Sequence, residues 1–358
     1  MRKLVVLLAV TAVAAVAVSS ASAARGMKIG FYDEAVTLGY PDDFGYRTLD
    51  DLGAQVLRMN LYWNQVAKSR PDNPTNPDDP AYDWSKWDEA LERADQYGIE
   101  VILSIIGTPR WANGGKAVQY APNDWDDLQA FSQAAAERYS QVRKWMAGNE
   151  PNAPNFLKPQ SVRRGGKWVF VSPEIYANMC KAVVRGVNAA RASNTIACGA
   201  LNPRGKLKPN GRRDSVAPIL FLQQMARAGA PAEVIAVHPY SSTPRWGPTK
   251  KIKSNSQIVL GTIGKFIKAV NKTYSKRTRI WVTEYGYQTK PPDKLFGVTW
   301  KTQAKWLTQA FKIMRKNPRI DIALNFQILD DSRLGGWQSG VMTNSAKPKP
   351  SYAAFKRL

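Results

Sequence analysis

The chain has one histidine, His238, and two cysteines, Cys180 and Cys198, among 358 residues. A single histidine excludes His-rich metal centres and the HExxH arrangement. Two cysteines exclude a disulfide scaffold and a thiolate zinc cluster. Acid–base chemistry in this chain must therefore rest on carboxylates, tyrosines or lysines. Acidic residues are also few: Asp and Glu number 28 against 51 Lys and Arg, a formal charge of +23. No G-x-G-x-x-G follows the first apolar segment, which argues against a dinucleotide fold. Internal repeats and an interdomain linker are missing as well. What is present is a globular composition, 44% hydrophobic and 22% charged, in a chain long enough to bury a full core without staples. The 12 tryptophans suit stacking on sugars or bases.

The first residues read as an address. Arg2 and Lys3 precede an apolar run from Leu4 to Val18, broken only by Thr11, and Ala21-Ser22-Ala23 fits an A-x-A cleavage pattern. Residues 1–23 are expected to be a secretory signal peptide cleaved after Ala23, with 24–358 as one folded domain. The run is short for a membrane span, so no transmembrane segment is expected in the mature chain. Export changes the meaning of the charge. The expected polyanions become cell-wall polymers, acidic polysaccharide or lipid headgroups, with no nucleic acid. The cations are spread through Arg204–Arg213, Lys250–Lys253 and Lys272–Arg279 and form no single tail. A plainly solvated basic surface is the competing reading.

Apolar and amphipathic segments alternate along the rest. Strands are expected at Met27–Tyr32, Gln55–Leu61, Glu100–Ile106, Lys144–Gly148, Thr195–Leu201, Glu233–Val237, Arg279–Thr283 and Ile320–Ile328. Helices are expected at Tyr82–Gly98, Asp124–Tyr139, Pro173–Ala192 (with Ser172 as its cap), Pro218–Ala228, Gln257–Lys272 and Trp300–Arg315, with a short closing helix at Ser351–Arg357. The stretches Pro71–Pro80, Asn152–Lys167 and Asn202–Arg213 read as loops. Near-continuous apolar strands alternating with helices imply a parallel sheet buried on both faces. Eight such units favour a closed (β/α)8 TIM barrel in a single domain over an open sheet.

In such a barrel the reactive residues gather at the C-terminal ends of the strands. Those ends offer Arg58 and Asn60 with Trp63, then Trp111, Asn149-Glu150-Pro151, His238-Pro239-Tyr240, Glu284, and Asp330, Asp331 and Trp337. Glu150 and Glu284 each close an otherwise apolar strand, where an uncompensated charge is costly. On the fourth and seventh strands they would face each other across one mouth. Two carboxylates so placed suit glycosidic bond cleavage, one as an acid with a raised pKa and one as an ionised nucleophile. Trp63, Trp111, Tyr285 and Tyr287 are open to two readings, sugar subsites or ordinary packing. Trp281 reads as core. Cys180 and Cys198 could pair in an oxidising compartment or remain buried thiols. Asp330 and Asp331 read as cleft-shaping residues or solvated loop charges.

Asn149-Glu150-Pro151 followed by Glu284, together with Arg58, His238-x-Tyr240 and Trp337 in that order, resembles clan A of the retaining glycoside hydrolases. The cellulase-like family 5 and the xylosidase-like family 39 are the nearest. The resemblance implies Glu150 as acid/base, Glu284 as nucleophile, and Asn149 bonding the sugar 2-hydroxyl. It also implies Arg58 and Tyr240 holding Glu284, His238 orienting the acid/base network or a sugar hydroxyl, and Trp337 stacking under the sugar. No metal or organic cofactor is implied. The expected substrate is a β-linked polysaccharide or oligosaccharide. Family 5 members usually carry a further histidine after the third strand, where this chain has Thr108-Pro109-Arg110-Trp111-Ala112. That departure leaves the mechanism standing and the substrate open. The rival reading is a catalytically inactive carbohydrate-binding barrel of the cell envelope.

Overall fold

The computed structural model describes residues 26–40 and 42–358, so the expected signal peptide lies outside the described residues. The strands are β1 (Lys28–Tyr32), β2 (Val56–Tyr62), β3 (Glu100–Ile106), β4 (Lys144–Ala147), β5 (Ser161–Arg164), β6 (Lys167–Phe170), β7 (Thr195–Leu201), β8 (Val234–Val237), β9 (Arg279–Tyr285) and β10 (Ile320–Phe326). Eight of them close a parallel barrel in the order β1-β10-β9-β8-β7-β4-β3-β2. This is the (β/α)8 barrel. Its strands are burdened with little polarity because both faces are covered. Val56, Ile102, Met146, Ala197, Val234, Trp281 and Leu324 fill the barrel interior, and Trp281 is core as expected. Gly30 in β1 cannot be replaced: a Cβ there would meet the Val56 carbonyl oxygen at 1.6 Å, so the β1–β2 approach depends on its bare backbone.

The helices form the outer layer. They are α1 (Glu34–Thr37), α2 (Phe44–Asp51), α3 (Trp63–Val66), α4 (Ser85–Gln96), α5 (Trp125–Arg138), α6 (Ser172–Ala190), α7 (Pro218–Arg227), α8 (Ile263–Thr273), α9 (Trp300–Arg315) and α10 (Pro350–Lys356). Local chemistry sets their ends. Asp124 caps α5 by accepting from the Asp126 N–H at 2.9 Å, and Thr299 caps α9 by accepting from the Thr302 N–H at 3.1 Å. At the far end of the barrel from the site, Lys28 and Lys144 both pair with Glu100.

Several expected boundaries move. Ser172 lies inside α6, whose cap is Val171. The helix expected from Gln257 starts only at Ile263, after a 3-10 turn at Leu260–Thr262. The seventh barrel strand, β9, runs on to Tyr285 and so contains Glu284. The eighth, β10, stops at Phe326, because the N–H groups of Ile328 and Leu329 turn to the buried Asp33 carboxylate. The expected loop at Asn152–Lys167 is in part a strand: β5 and β6 form an antiparallel hairpin. Cys180 in α6 and Cys198 in β7 are joined in a disulfide with their Cα atoms 6.1 Å apart. Asp330 is neither a cleft residue nor a solvated charge. Its buried carboxylate accepts from the Lys349 ammonium at 2.7 Å and from the Gly340 N–H at 3.0 Å, pinning the loop after β10 to the start of α10. Asp331 pairs with exposed Arg333.

Candidate active site

The strand ends meet at one mouth, above a cavity of about 710 Å³. Glu150 arrives there through a sharp turn. Gly148, with φ of +75°, swings the chain off the end of β4, and Glu150 itself sits at φ +39°, a left-handed conformation that costs a side-chain-bearing residue about 1–3 kcal/mol. The Glu150 N–H is held by the Ala200 carbonyl at 3.0 Å. Glu284 lies within β9 and is brought to the mouth by a register slip: the pairing of β9 with β10 jumps from Val282–Ala323 to Tyr285–Asn325, and this bulge resets the alternation that Trp281 follows lower in the strand. In the barrel ring, β7 and β8 separate β9 from β4.

Oxygens of the two carboxylates and a ring nitrogen of His238 lie within 4.8 Å of one another. His238 sits between the acids. Its Nδ1 is 2.9 Å from Glu150 Oε1 and 3.6 Å from Glu284 Oε1, while its Nε2 is 3.0 Å from the Thr283 hydroxyl. Burial pushes the imidazole down to about 4, so it is neutral near pH 7 and carries one ring proton.

The two carboxylates have different neighbours. Arg58, fully buried in β2, donates to Glu284 Oε1 at 2.8 Å, and the Tyr240 hydroxyl donates to Glu284 Oε2 at 3.2 Å. Burial, and Glu284 after it, hold Tyr240 far above its ordinary range, so it remains a donor. Burial opposes the Arg58 charge, but Glu284 and Tyr32 outweigh it and its pKa rises. Glu150 has no cation in contact. Asn202 donates to its Oε2 at 2.7 Å, and burial pushes the carboxyl up to about 7. The site thus holds one carboxylate braced by a guanidinium and one carboxyl poised to keep a proton near neutrality.

The remaining named residues divide. Asn149 accepts from Arg58 at 2.8 Å through its side-chain oxygen, and it lines the cavity. Asn60 accepts from Arg58 at 3.2 Å and donates to the Tyr32 hydroxyl at 2.7 Å. Trp337 is 44% exposed, tilted against Tyr240 at 5.5 Å and edge-on to Phe326. It offers an open aromatic face at the cavity. Trp63 lines the cavity but is buried and stacked on Phe131. Trp111 does not reach the cavity lining: its indole N–H donates to the Ala67 carbonyl at 2.9 Å and Arg70 covers its ring. Tyr287 lines the cavity, whereas Tyr285 lies behind it and donates to the Tyr287 hydroxyl.

Sequence reasoning passed over Asn202 and Thr283. Asn202 directly follows β7, so the strand-end rule that singles out Glu150 applies to it equally. Thr283 faces His238 from within β9, and no pattern in the sequence marks it.

Glu150, His238 and Glu284 could offer one ligand atom each to a cation. The surroundings oppose that use. Glu284 Oε1 is already bonded by a buried guanidinium, and a dication among these groups would sit beside that fixed positive charge.

The sequence profile of Cellulase (glycosyl hydrolase family 5) matches residues 21–324. The chain belongs to this family. It is therefore a cellulase-family glycoside hydrolase that carries Thr108, and no histidine, at the mouth end of β3. Similar folds occur in several glycosidases. A family 39 glycoside hydrolase from Bacteroides cellulosilyticus superimposes with a TM-score of 0.66 at 16% identity, over 93% of this chain and 63% of the other. A glucosidase from Croceicoccus marinus gives 0.67 at 13% identity, over 93% and 67%. Xylanase 10B from Thermotoga maritima gives 0.60 at 14% identity, over 93% and 95%. The chain thus spans less than two thirds of the family 39 enzyme's length. Comparison with curated proteins gives no match.

Proposed function

We propose that this family 5 glycoside hydrolase is an exported, retaining β-glycosidase acting on a β-linked polysaccharide or oligosaccharide. One observation carries the reading: two carboxylates within 4.8 Å through their nearest atoms, one braced by Arg58 and one raised to about 7. Retaining enzymes hold their carboxyls about 5–5.5 Å apart, whereas inverting ones leave room for a water between them. Glu284 attacks the anomeric carbon, and the bond to the leaving-group oxygen breaks as Glu150 gives that oxygen its proton. The covalent glycosyl-enzyme is then opened by water, which loses a proton to Glu150. Neutral His238 follows Glu150 through this change, since its Nδ1 can donate to the carboxylate or accept from the acid. The free amide end of Asn149 meets the sugar 2-hydroxyl, and the exposed face of Trp337 covers the apolar side of the ring. The Arg2-Lys3 pair, the apolar run after it and the A-x-A pattern support export, and the charge of +21 that remains once Arg2 and Lys3 are subtracted from +23 supports association with anionic wall polymers outside the cell.

The test is the configuration of the first-formed product, followed by proton NMR on a panel of β-linked oligosaccharides. The β anomer appearing first supports the proposal. An α anomer first would overturn the retaining mechanism, and binding without any cleavage would establish the inactive carbohydrate-binding barrel instead.

A further inference from the structure

Among the described residues, three charged side chains line the cavity: Glu150, Glu284 and Arg204. The first two are the reacting pair. Arg204 is exposed, and its guanidinium has neither an ion pair nor a hydrogen bond to any described residue. It is tied to the acid through one intermediary: Asn202 donates to Glu150 and accepts from the Arg204 N–H at 3.1 Å. The Arg204 charge reaches the Glu150 carboxyl and lowers its pKa against the larger effect of burial.

Arg204 opens a wall of the same sign. The loops 202–216 and 241–256 are joined by the bridge between Arg204 and Gln257 and by the Gly205 N–H to the Ser256 carbonyl at 3.1 Å. Ser241 to Pro244 line the cavity beside them. The first loop also exposes Lys208, Arg212 and Arg213, and the second exposes Arg245. The two loops contain a single acid, Asp214, which is taken by Lys206 at 2.7 Å. A solvated basic face has no need to aim a cation into a reaction cleft, yet this one does.

The side of the cleft matters. A general acid protonates the departing oxygen, so the wall beyond Glu150 faces the leaving-group half of the substrate. Trp337 and Tyr240 stand with Glu284, on the half that keeps the glycosyl unit. The planar fork of an arginine matches a carboxylate in two parallel bonds.

We propose that the leaving-group half of this cleft takes a carboxylate-bearing sugar, with Arg204 as the cation that selects it and the two basic loops as a track for further acidic units. The inference rests on the glycosidase reading for the direction of the substrate. It gives the substrate class as a β-linked acidic glycan.

The test is calorimetric binding to the turnover-silenced Glu284→Gln chain. The probes are two β-linked trisaccharides that differ only in a uronic acid or a neutral hexose at the reducing end. The acidic probe is expected to bind about tenfold tighter at low salt, with the advantage shrinking as salt rises. Adding Arg204→Gln should bring the ratio close to one, and Arg204→Lys should keep part of it. Equal affinity for the two probes would overturn the inference. So would a preference that Arg204→Gln leaves intact. Charge-selective binding lost in Arg204→Gln, with neither probe cleaved by the unsubstituted chain, would uphold Arg204 as the selecting cation and fail the glycosidase reading, and with it the assignment of a leaving-group half. Cleavage of both with no charge preference would do the reverse.

Discussion

Glu150 and Glu284 are chemically alike, and their neighbours make them different. Glu284 shares its oxygens with a guanidinium and a phenol, whereas Glu150 has an amide, an imidazole and the effect of burial. The difference assigns work. Replacing Glu150 by Gln keeps the shape and removes the transferable proton, so cleavage of sugars with poor leaving groups should fall by about 10²–10⁴-fold. Activated aryl glycosides, which leave without help, should lose far less in the first step and accumulate the glycosyl-enzyme. Steady-state rates and burst amplitudes on a series of leaving groups check this. Equal losses across the series would remove Glu150 from the acid role.

At the scale of elements, the barrel holds the site because each loop is fixed from behind. The clearest brace is Lys349 with Asp330, both buried, with the ammonium also donating to the Thr289 hydroxyl at 2.9 Å. Lys349→Met would leave an uncompensated carboxylate and should cost about 3–5 kcal/mol in denaturant unfolding, whereas joint replacement with Asp330→Leu should recover much of it. A loss below about 1 kcal/mol in the single variant would contradict the bracing role.

Elements also differ in how far their sequences announce them. The β3 segment EVILSII has only two polar residues, and its bounds were legible to the residue. Helix α2 was not. Its buried face is Gly45, Tyr46, Thr48 and Leu49, so two of its four inward positions are small or polar and break the apolar period. The β5–β6 hairpin was readable but hidden by its charge. Gly165 and Gly166, both at positive φ, form a two-residue turn between Arg-Arg and Lys-Trp, and the surrounding cations suggest a loop. Strand-end logic placed Arg58, Asn149, His238 and Tyr240 near the two acids, because barrel geometry brings every strand end to one rim. It could not sort Trp63 and Trp111, since whether an indole faces a cavity or a neighbour depends on loop paths that strand spacing does not set.

For the whole molecule, pH ties chemistry to folding. Glu150 is raised to about 7, so catalysis by its protonated form should decline as pH rises through that value. Because the folded value lies above the ordinary one of 4.5, the group's contribution to stability is complete below 4.5 and lost as pH climbs through about 7. His238 has the opposite sense. Its folded value of about 4 lies below 6.5, so its contribution is present above 6.5 and lost as pH falls through about 4. Glu150→Gln removes one of these titrations. Its stability relative to the unsubstituted chain should therefore improve from about pH 5 to about pH 8, and unfolding curves across that range would show it. A constant difference would mean that Glu150 is not raised in the folded chain.

The central claim is that Glu284 forms a covalent bond to the sugar. The most direct measurement is the intact mass of the chain after incubation with 2-deoxy-2-fluoro-β-glycosides bearing good leaving groups, followed by peptide mapping. A stable gain of one fluoroglycosyl unit on the peptide containing Glu284, lost in Glu284→Gln, is the predicted result. Turnover of these reagents with no adduct, or an adduct on a different residue, would contradict the account.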